Sequence, residues 1–213
     1  MMKVFLVDDD NSVRKALTRL IRAAGYEIET FASAQDFFKS KPEAAGVACL
    51  VLDVSMPGLN GLELQQALRA ANVTIPIIFI TGHGDIPMSV KAMKAGAVDF
   101  LPKPVRQEAL LPAIEQALAR ASQQGDETAE LIEIDRRLES LTPREREVMT
   151  LVVTGMLNKQ IAYELGTVEK TIKVHRSRVM EKMQVSSFAE LVRLAERFGI
   201  PEQKRSTGVA APR

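Results

Sequence analysis

Cysteine and long apolar runs are scarce in this chain of 213 residues, and their scarcity excludes several classes of protein. Because Cys49 is the one cysteine, an internal disulfide and a zinc site built on cysteines are both impossible. No run of 18 apolar residues occurs, so we expect no transmembrane helix and no membrane partner. The N-terminal sequence MMKVFLVDDD has too few apolar residues for the core of a signal peptide. We therefore expect a protein of the reducing cytoplasm.

The net charge of +1 conceals an uneven distribution of charge along the chain. Residues 1–125 carry 13 basic and 13 acidic side chains, and residues 126–140 carry 2 basic and 6 acidic ones. Residues 141–213 carry 13 basic and 8 acidic side chains, a net charge of +5. Such asymmetry suggests that the C-terminal part meets a polyanion, although the same excess also fits an ordinary solvated surface.

Short apolar runs alternate with amphipathic stretches over the first 120 residues. The runs predict five strands, at Val4–Val7, Tyr26–Phe31, Val47–Leu52, Ile75–Ile80 and Val98–Leu101. Helical spacing of apolar residues predicts helices at Ser12–Ala24, Gly61–Ala71 and Val105–Ala121, among others. Strands that alternate with helices indicate a parallel sheet covered on both faces. We predict an α/β flavodoxin-like domain with five parallel strands in the order 2-1-3-4-5.

The composition and the hydrophobic pattern of the chain change after residue 121. Residues 122–140 are polar and acidic, which predicts a helical linker, either one continuous helix or a helix that bends near Gly125. From Leu141 the pattern is purely helical, and Thr142 followed by Pro143 is typical of a helix start. We predict a small all-α domain over 141–200, with helices at 143–154, 158–165, 168–183 and 187–198. Residues 201–213 have no apolar periodicity and are expected to be disordered.

Polar residues follow several of the predicted strands. Asp8 and Asp9 follow the first strand, Asp53 the third, Thr81 the fourth and Lys103 the fifth. Because ligands bind at the carboxyl ends of the strands in such sheets, these side chains should converge. Three carboxylates need a cation, and Mg²⁺ is suited to oxygen ligands with open water positions. An aspartate beside Mg²⁺, with a lysine and a hydroxyl nearby, can accept a phosphoryl group.

Each of these residues also has a purely structural interpretation. Asp10 with Asn11 is typical of a helix cap, and Thr81-Gly82 alone is typical of an ordinary turn. Lys103 between two prolines would suit a loop. The functional interpretation depends on all of them lying at the ends of the right strands.

The N-terminal motifs resemble those of a bacterial two-component response regulator. The matching segments are VDDD (7–10), LDVSMPGLNGLEL (52–64), FITGHGD (79–85) and AGAVDFLPKP (95–104). The resemblance covers residues 1–121 as a receiver domain and implies that Asp53 is the phosphorylated residue. It further implies that Asp8, Asp9, Asp53 and the backbone carbonyl of Ser55 bind Mg²⁺. By the same resemblance Thr81 and Phe100 form the switch pair, Lys103 contacts the phosphoryl group, and the Lys103–Pro104 bond is cis.

The C-terminal motifs resemble the LuxR-type helix-turn-helix of the NarL/FixJ family, and the receiver motifs are closest to its FixJ-like branch. LTPRE, NKQIA and TIKVHRSRVMEKM carry the resemblance. The predicted helix 168–183 turns Ile172, Val179 and Met183 inward and presents a basic outer face. By charge alone that face would suit a solvated amphipathic helix, but the motif favours the major groove of DNA. The resemblance implies DNA contacts by Lys170, Lys173, Val174, Arg176, Ser177, Arg178 and Lys182, with Lys173, Val174 and Ser177 facing the bases. Arg176, Arg178 and Lys182 are expected to contact phosphates or to pair with Glu169 and Glu181.

Together the two resemblances predict a transcription factor that is switched by phosphorylation. The implied partners are a sensor histidine kinase, double-stranded promoter DNA, RNA polymerase, and a second copy of the chain when phosphorylated. One alternative is a constitutive DNA-binding protein whose receiver domain is only structural. The other is a Mg²⁺-dependent phosphohydrolase of the haloacid-dehalogenase type, because Asp8-x-Asp10-x-Ser12 mimics its nucleophile loop. That alternative leaves Asp53 and the helix-turn-helix unexplained.

Overall fold

Strands and helices alternate through the first part of the chain. The structure is a computed structural model, and it describes residues 2–40, 46–82 and 86–199. Its strands are β1 (Lys3–Val7), β2 (Glu27–Phe31), β3 (Ala48–Asp53), β4 (Ile77–Thr81) and β5 (Asp99–Pro102). The helices of the first part are α1 (Asn11–Ala23), α2 (Ala34–Lys39), α3 (Gly61–Ala70), α4 (Ile86–Lys94) and α5 (Gln107–Glu139). Four more follow: α6 (Pro143–Val153), α7 (Asn158–Glu164), α8 (Glu169–Lys182) and α9 (Phe188–Arg197). In the part of the chain that the structure describes, none of the helices is long and apolar enough to cross a membrane.

The five strands form one parallel sheet in the order β2-β1-β3-β4-β5, which confirms the predicted topology. Each predicted strand agrees with the observed one to within two residues at either end. The register pairs Val7 with Leu52 and Thr81 with Pro102. The carboxyl ends of β1, β3, β4 and β5 are therefore neighbours at one edge of the sheet.

The sheet has an apolar core on each face, and strand alternation assigns residues to them. Successive side chains of β1 point to opposite faces of the sheet. Val4 and Leu6 therefore belong to one core, and Phe5 and Val7 belong to the other. The first core is completed by α1 and α5, and the second by α2, α3 and α4. Coverage on both faces explains why β3 is buried at every position.

Helix α5 differs from the prediction. It runs unbroken from Gln107 to Glu139, beyond the predicted end at Ala121, and of the two alternatives for residues 122–140 it has the continuous helix. One glycine in a helix interior costs about 1 kcal/mol relative to alanine, and the alanine, glutamine and glutamate residues around it are good helix formers. The local preference of the flanking residues therefore outweighs the cost of Gly125.

The chain divides into two compact units, Met1–Glu127 and Thr128–Arg213. The C-terminal unit has its own apolar core, which includes Ile134 from α5. Helices α6 to α9 agree with the predicted ones to within one residue at each end. As functional domains, the segments 1–121, 122–140 and 141–200 stay predictions, and the expected disorder of 201–213 concerns residues outside those described.

Candidate functional site

Three carboxylates meet at the carboxyl edge of the sheet. Asp8 follows β1 directly, Asp9 comes next, and Asp53 is the last residue of β3. One carboxylate oxygen from each residue lies within 4.8 Å of the others. Asp8 and Asp53 are buried, whereas Asp9 is exposed. The predicted convergence of these side chains is therefore observed, and their oxygens suit a hard cation such as Mg²⁺.

Lys103 reaches this acidic cluster from the loop that follows β5. Its Nζ lies 2.7 Å from Asp8 Oδ2 and 2.6 Å from Asp53 Oδ2. Burial by itself would lower the pKa of Lys103, but hydrogen bonds to Asp53 and Asp8 outweigh it and raise the pKa. Lys103 is therefore a fixed positive charge against the two buried carboxylates.

One lysine does not neutralise the three carboxylates of the acidic cluster. Burial raises the pKa of Asp8 above its usual value, although hydrogen bonds from Lys103 and from the Asp10 amide oppose this shift. The Asp10 amide donates to Asp8 Oδ1 over 2.8 Å. The cluster thus carries negative charge that its own residues do not balance, which fits a site for a divalent cation.

The backbone beneath Asp53 is shaped by a glycine. A Cβ on Gly61 would lie 2.3 Å from the Asp53 carbonyl oxygen, so only glycine fits at this start of α3. The Gly61 amide donates to the Val54 carbonyl over 3.0 Å, and the Ser55 amide donates to Asp53 Oδ1 over 3.1 Å. These contacts aim the Asp53 carboxylate at Lys103. The Ser55 carbonyl as a metal ligand stays a prediction.

Arg14 is a contact of this site that sequence reasoning missed. Its Nη1 donates to the Asp8 carbonyl over 2.6 Å and ties α1 to the end of β1. Asp10 accepts from the amides of Ser12 and Val13, which confirms its role as a helix cap. A basic residue one turn into the helix after an acidic turn was the available signal for Arg14.

Thr81 is the last residue of β4, and Phe100 lies within β5. Thr81 is buried, and its carbonyl accepts the Lys103 amide over 2.7 Å. Phe100 is half-buried, with its ring 6.1 Å from that of Phe79. The Lys103–Pro104 bond is cis, as expected. His83, Gly84 and Asp85 of the FITGHGD motif lie outside the described residues.

The second candidate site is the outer face of α8. Lys170, Lys173, Val174, Ser177 and Arg178 are exposed there, and Ile172, Val179 and Met183 are buried as predicted. Lys173 pairs with Glu169 over 3.2 Å, but its side chain remains 64% exposed. These placements suit groups that would reach a nucleic acid.

The other two predicted contacts, Arg176 and Lys182, have internal partners. Arg176 donates to Asn158 Oδ1 over 3.0 Å and stacks over the Phe188 ring at 5.2 Å. Lys182 does not pair with Glu169 or Glu181 as expected; its Nζ lies 2.7 Å from Glu145 Oε2. These two side chains turn toward α7 and α6 because each finds an acceptor there. The capping box that Thr142 forms with Glu145 explains why Glu145 is held at that position.

Comparison with known proteins places both parts of the chain in known families. Residues 4–115 match the response regulator receiver domain, and residues 139–195 match the luxR family of bacterial regulatory proteins. The chain is 49% identical over 198 residues to nodulation protein W of Bradyrhizobium diazoefficiens, covering 92% of this chain and 86% of that protein. It is 43% identical over 197 residues to the transcriptional regulatory protein FixJ of the same species, covering 92% and 96%. The solved structure of the response regulator StyR matches with a TM-score of 0.83 and 49% identity, covering 92% of this chain and 98% of that one. The chain therefore belongs to the bacterial response regulators, with a receiver domain followed by a LuxR-type DNA-binding domain.

Proposed function

We propose that Asp53 accepts a phosphoryl group from a sensor histidine kinase and that this modification switches binding to promoter DNA. The observation that carries the proposal is the position of Asp53. Its carboxylate ends a buried strand, with Oδ1 held by the Ser55 amide and Oδ2 by Lys103 Nζ at 2.6 Å. A carboxylate fixed in this way is oriented for attack without further rearrangement.

In the proposed transfer, an Asp53 oxygen attacks the phosphorus of a phosphohistidine. The new P–O bond forms as the P–N bond breaks, and the imidazole leaves with the electron pair. Asp8, Asp9, Asp53 and the Ser55 carbonyl would hold Mg²⁺, which when bound offsets the charge of the carboxylate and the phosphoryl group. Lys103 is placed to neutralise a further phosphoryl oxygen.

Thr81 and Phe100 would carry the switch. A phosphoryl group on Asp53 offers oxygens that accept a hydrogen bond from the Thr81 hydroxyl. Phe100 is half-buried next to Phe79, and its ring would fill the space that Thr81 leaves. The change would alter the surface around β5 and favour a homodimer of the phosphorylated chain.

The exposed face of α8 would enter the major groove. Lys173, Val174 and Ser177 are proposed to meet base edges, and Lys170 and Arg178 to meet phosphates. Arg176 and Lys182 have internal partners, so for them the direct contacts expected from the sequence have less support. A cytoplasmic regulator of promoter DNA, with RNA polymerase as a further partner, is the function that this set supports best.

The test is sedimentation and DNA binding with Mg²⁺, with and without beryllofluoride, which mimics an aspartyl phosphate. We expect a shift from monomer to dimer and tighter binding to duplexes that the chain selects from a random-sequence library. Asp53→Asn should abolish both effects, and the matched control Asp126→Asn, an exposed acid on α5, should keep them. An Asp53→Ala variant that regulates as well as the wild type would favour the constitutive alternative instead.

A further inference from the structure

A cationic side chain at the end of each of the helices α5 and α8 hydrogen-bonds to a carbonyl at the end of the other helix. The last carbonyls of a helix have no partner within the helix, and basic residues are favourable there. Arg137, in the last turn of α5, donates from Nη1 to the Met183 carbonyl at the end of α8 over 3.3 Å. Lys182, in the last turn of α8, donates from Nζ to the Ser140 carbonyl just after α5 over 2.9 Å. Each helix therefore caps the other, and we name Arg137 and Lys182 the reciprocal cap.

Both cations of the reciprocal cap are held in place by acids. Glu133 Oε1 lies 3.0 Å from Arg137 Nε, and Glu145 Oε2 lies 2.7 Å from Lys182 Nζ. The Arg137 and Lys182 side chains are 24% and 34% exposed, against 64% for Lys173 on the outer face of α8. The two cations are thus engaged inside the C-terminal unit and are poorly placed to neutralise a phosphate.

Apolar packing supports the same junction. Ile134 is buried and Leu138 half-buried in the core that contains Val179 of α8 and Met183, which directly follows α8. Arg146 on α6 also donates to the Leu138 carbonyl over 2.6 Å. The end of α5 is therefore a structural part of the C-terminal unit, although the sequence pattern suggested a linker.

We propose that Arg137, together with Lys182, is a positioning residue for base readout by α8. This inference rests on the proposed DNA face. Base edges are read by hydrogen bonds of strict geometry, whereas phosphates attract a cation over a wider range of positions. A brace at the end of α8 should therefore affect sequence preference more than general affinity for DNA.

The test compares Arg137→Gln with two controls in the full chain bound to Mg²⁺ and beryllofluoride. Arg136→Gln changes an exposed neighbour on α5, and Arg178→Gln removes a cation from the proposed DNA face. Affinities are measured over a range of salt concentrations, for a duplex selected by the wild type and for a mixed-sequence duplex. We choose Arg137→Gln over Lys182→Met as the test variant, because Lys182→Met would also leave the buried Glu145 without its counter-ion.

We expect Arg137→Gln to lower the ratio of the two affinities at least about fivefold, as for the loss of one base contact, with the salt dependence unchanged. Arg178→Gln should instead reduce the slope of log affinity against log salt by about 0.9, as for one lost phosphate contact. Arg136→Gln should change neither quantity. A reduced slope in Arg137→Gln would overturn the proposal, because it would make Arg137 a phosphate contact. An unchanged ratio of the two affinities would overturn it too, because a general loss of stability of the protein would weaken its binding to both duplexes equally.

Amide hydrogen exchange separates this proposal from the proposed DNA face. The Met183 amide donates to the Val179 carbonyl over 2.8 Å at the end of α8, and we expect it to exchange faster in Arg137→Gln. Unchanged exchange there would refute the brace whatever the DNA result. An unchanged salt slope in Arg178→Gln, with faster exchange in Arg137→Gln, would refute only the proposed DNA face.

Discussion

Each unit of this protein contains a lysine that contacts a buried carboxylate, and the two arrangements behave in opposite ways. Lys103 lies within 2.7 Å of Asp8 and Asp53, and Lys182 lies 2.7 Å from Glu145. Burial raises the pKa of Asp8 in the first case. In the second, the hydrogen bond from Lys182 lowers the pKa of Glu145 to about 2. Nearly identical contact distances thus accompany opposite shifts.

The two arrangements also differ in charge balance. The acidic cluster of the receiver domain has three carboxylates and one lysine, Lys103, which contacts two of them, so the protein leaves negative charge for a cation to offset. The pair in the C-terminal unit matches one acid with one base, and a hydrogen bond from the Thr142 amide stabilises the acid further. A cluster with unbalanced charge at the end of a strand indicates a binding site, whereas an acid–base pair with balanced charge at the end of a helix indicates a structural role.

Disturbing the support of the acidic cluster should have the largest effect. A methyl group on Gly61 would lie 2.3 Å from the Asp53 carbonyl, so the backbone must move. We expect Gly61→Ala to lower the free energy of unfolding by about 3 kcal/mol in urea denaturation. The control is Gly125→Ala in α5, whose added Cβ meets nothing within 4 Å and should stabilise by about 0.5–1 kcal/mol. Equal stabilities for the two variants would contradict this account of Gly61.

Breaking the balanced pair should have the next largest effect. Lys182→Met leaves Glu145, whose side chain is 3% exposed, without its counter-ion. We expect the free energy of unfolding of the C-terminal unit to fall by about 2 kcal/mol. Lys173→Met is the matched control, because its partner Glu169 is 48% exposed, and it should cost less than about 0.5 kcal/mol. Similar losses in both variants would show that burial of the acid is unimportant.

Adding Mg²⁺ should stabilise the unit with unbalanced charge. At ten times its dissociation constant, a ligand that binds only the folded state stabilises it by about 1.4 kcal/mol. We expect Mg²⁺ to stabilise the receiver domain of the wild type by this amount and that of the Asp53→Asn variant by much less. Without Mg²⁺, Asp53→Asn should be more stable than the wild type, because one of three mutually repelling carboxylates is gone. Thermal unfolding in EDTA and in Mg²⁺ measures both effects, and an equal Mg²⁺ shift in the variant would exclude Asp53 as a ligand.

Acid should weaken the balanced pair over a defined range of pH. The folded pKa of Glu145, about 2, lies below the ordinary value of 4.5. Its stabilisation is therefore complete above pH 4.5 and is lost as the pH falls toward 2. Between pH 5.5 and 3.5, the stability difference between wild type and Glu145→Gln should shrink by about 1 kcal/mol. A difference that stays constant over this range in chemical denaturation would show that Lys182 does not depress the Glu145 pKa.

The sequence predicted the sheet and the helices of the C-terminal unit well because their patterns are local. Apolar runs and helical spacing located β1 to β5 within two residues, and the strand order followed from the alternation of element types. The convergence of Asp8, Asp53 and Lys103 was predictable because parallel strands end at one edge. Arg14 was missed because its acceptor is a backbone carbonyl, and a basic residue one turn into a helix is a weak sign of such a contact.

The conformation of residues 122–140 was the part of the fold that the sequence left open. Residues 122–140 are polar and acidic, and that composition suggested a segment outside both domains. Local helix preference carried α5 through Gly125, and Ile134 supplied enough apolar surface to join the C-terminal core. Sparse apolar residues at spacings of three and four were the signal for this packing.

By itself, the sequence determined the element types, the strand order and the residues at the strand ends, because hydrophobic periodicity and turn chemistry act over a few neighbouring residues. Only the tertiary structure decided which cations are committed to internal partners. In the sequence, nothing distinguishes the basic residues Arg137, Arg176 and Lys182 from Lys173 and Arg178. In the structure, the first three have acceptors that lie far away in sequence or on the backbone. A charge acquires its role from the groups around it, and those groups are assembled only when the chain folds.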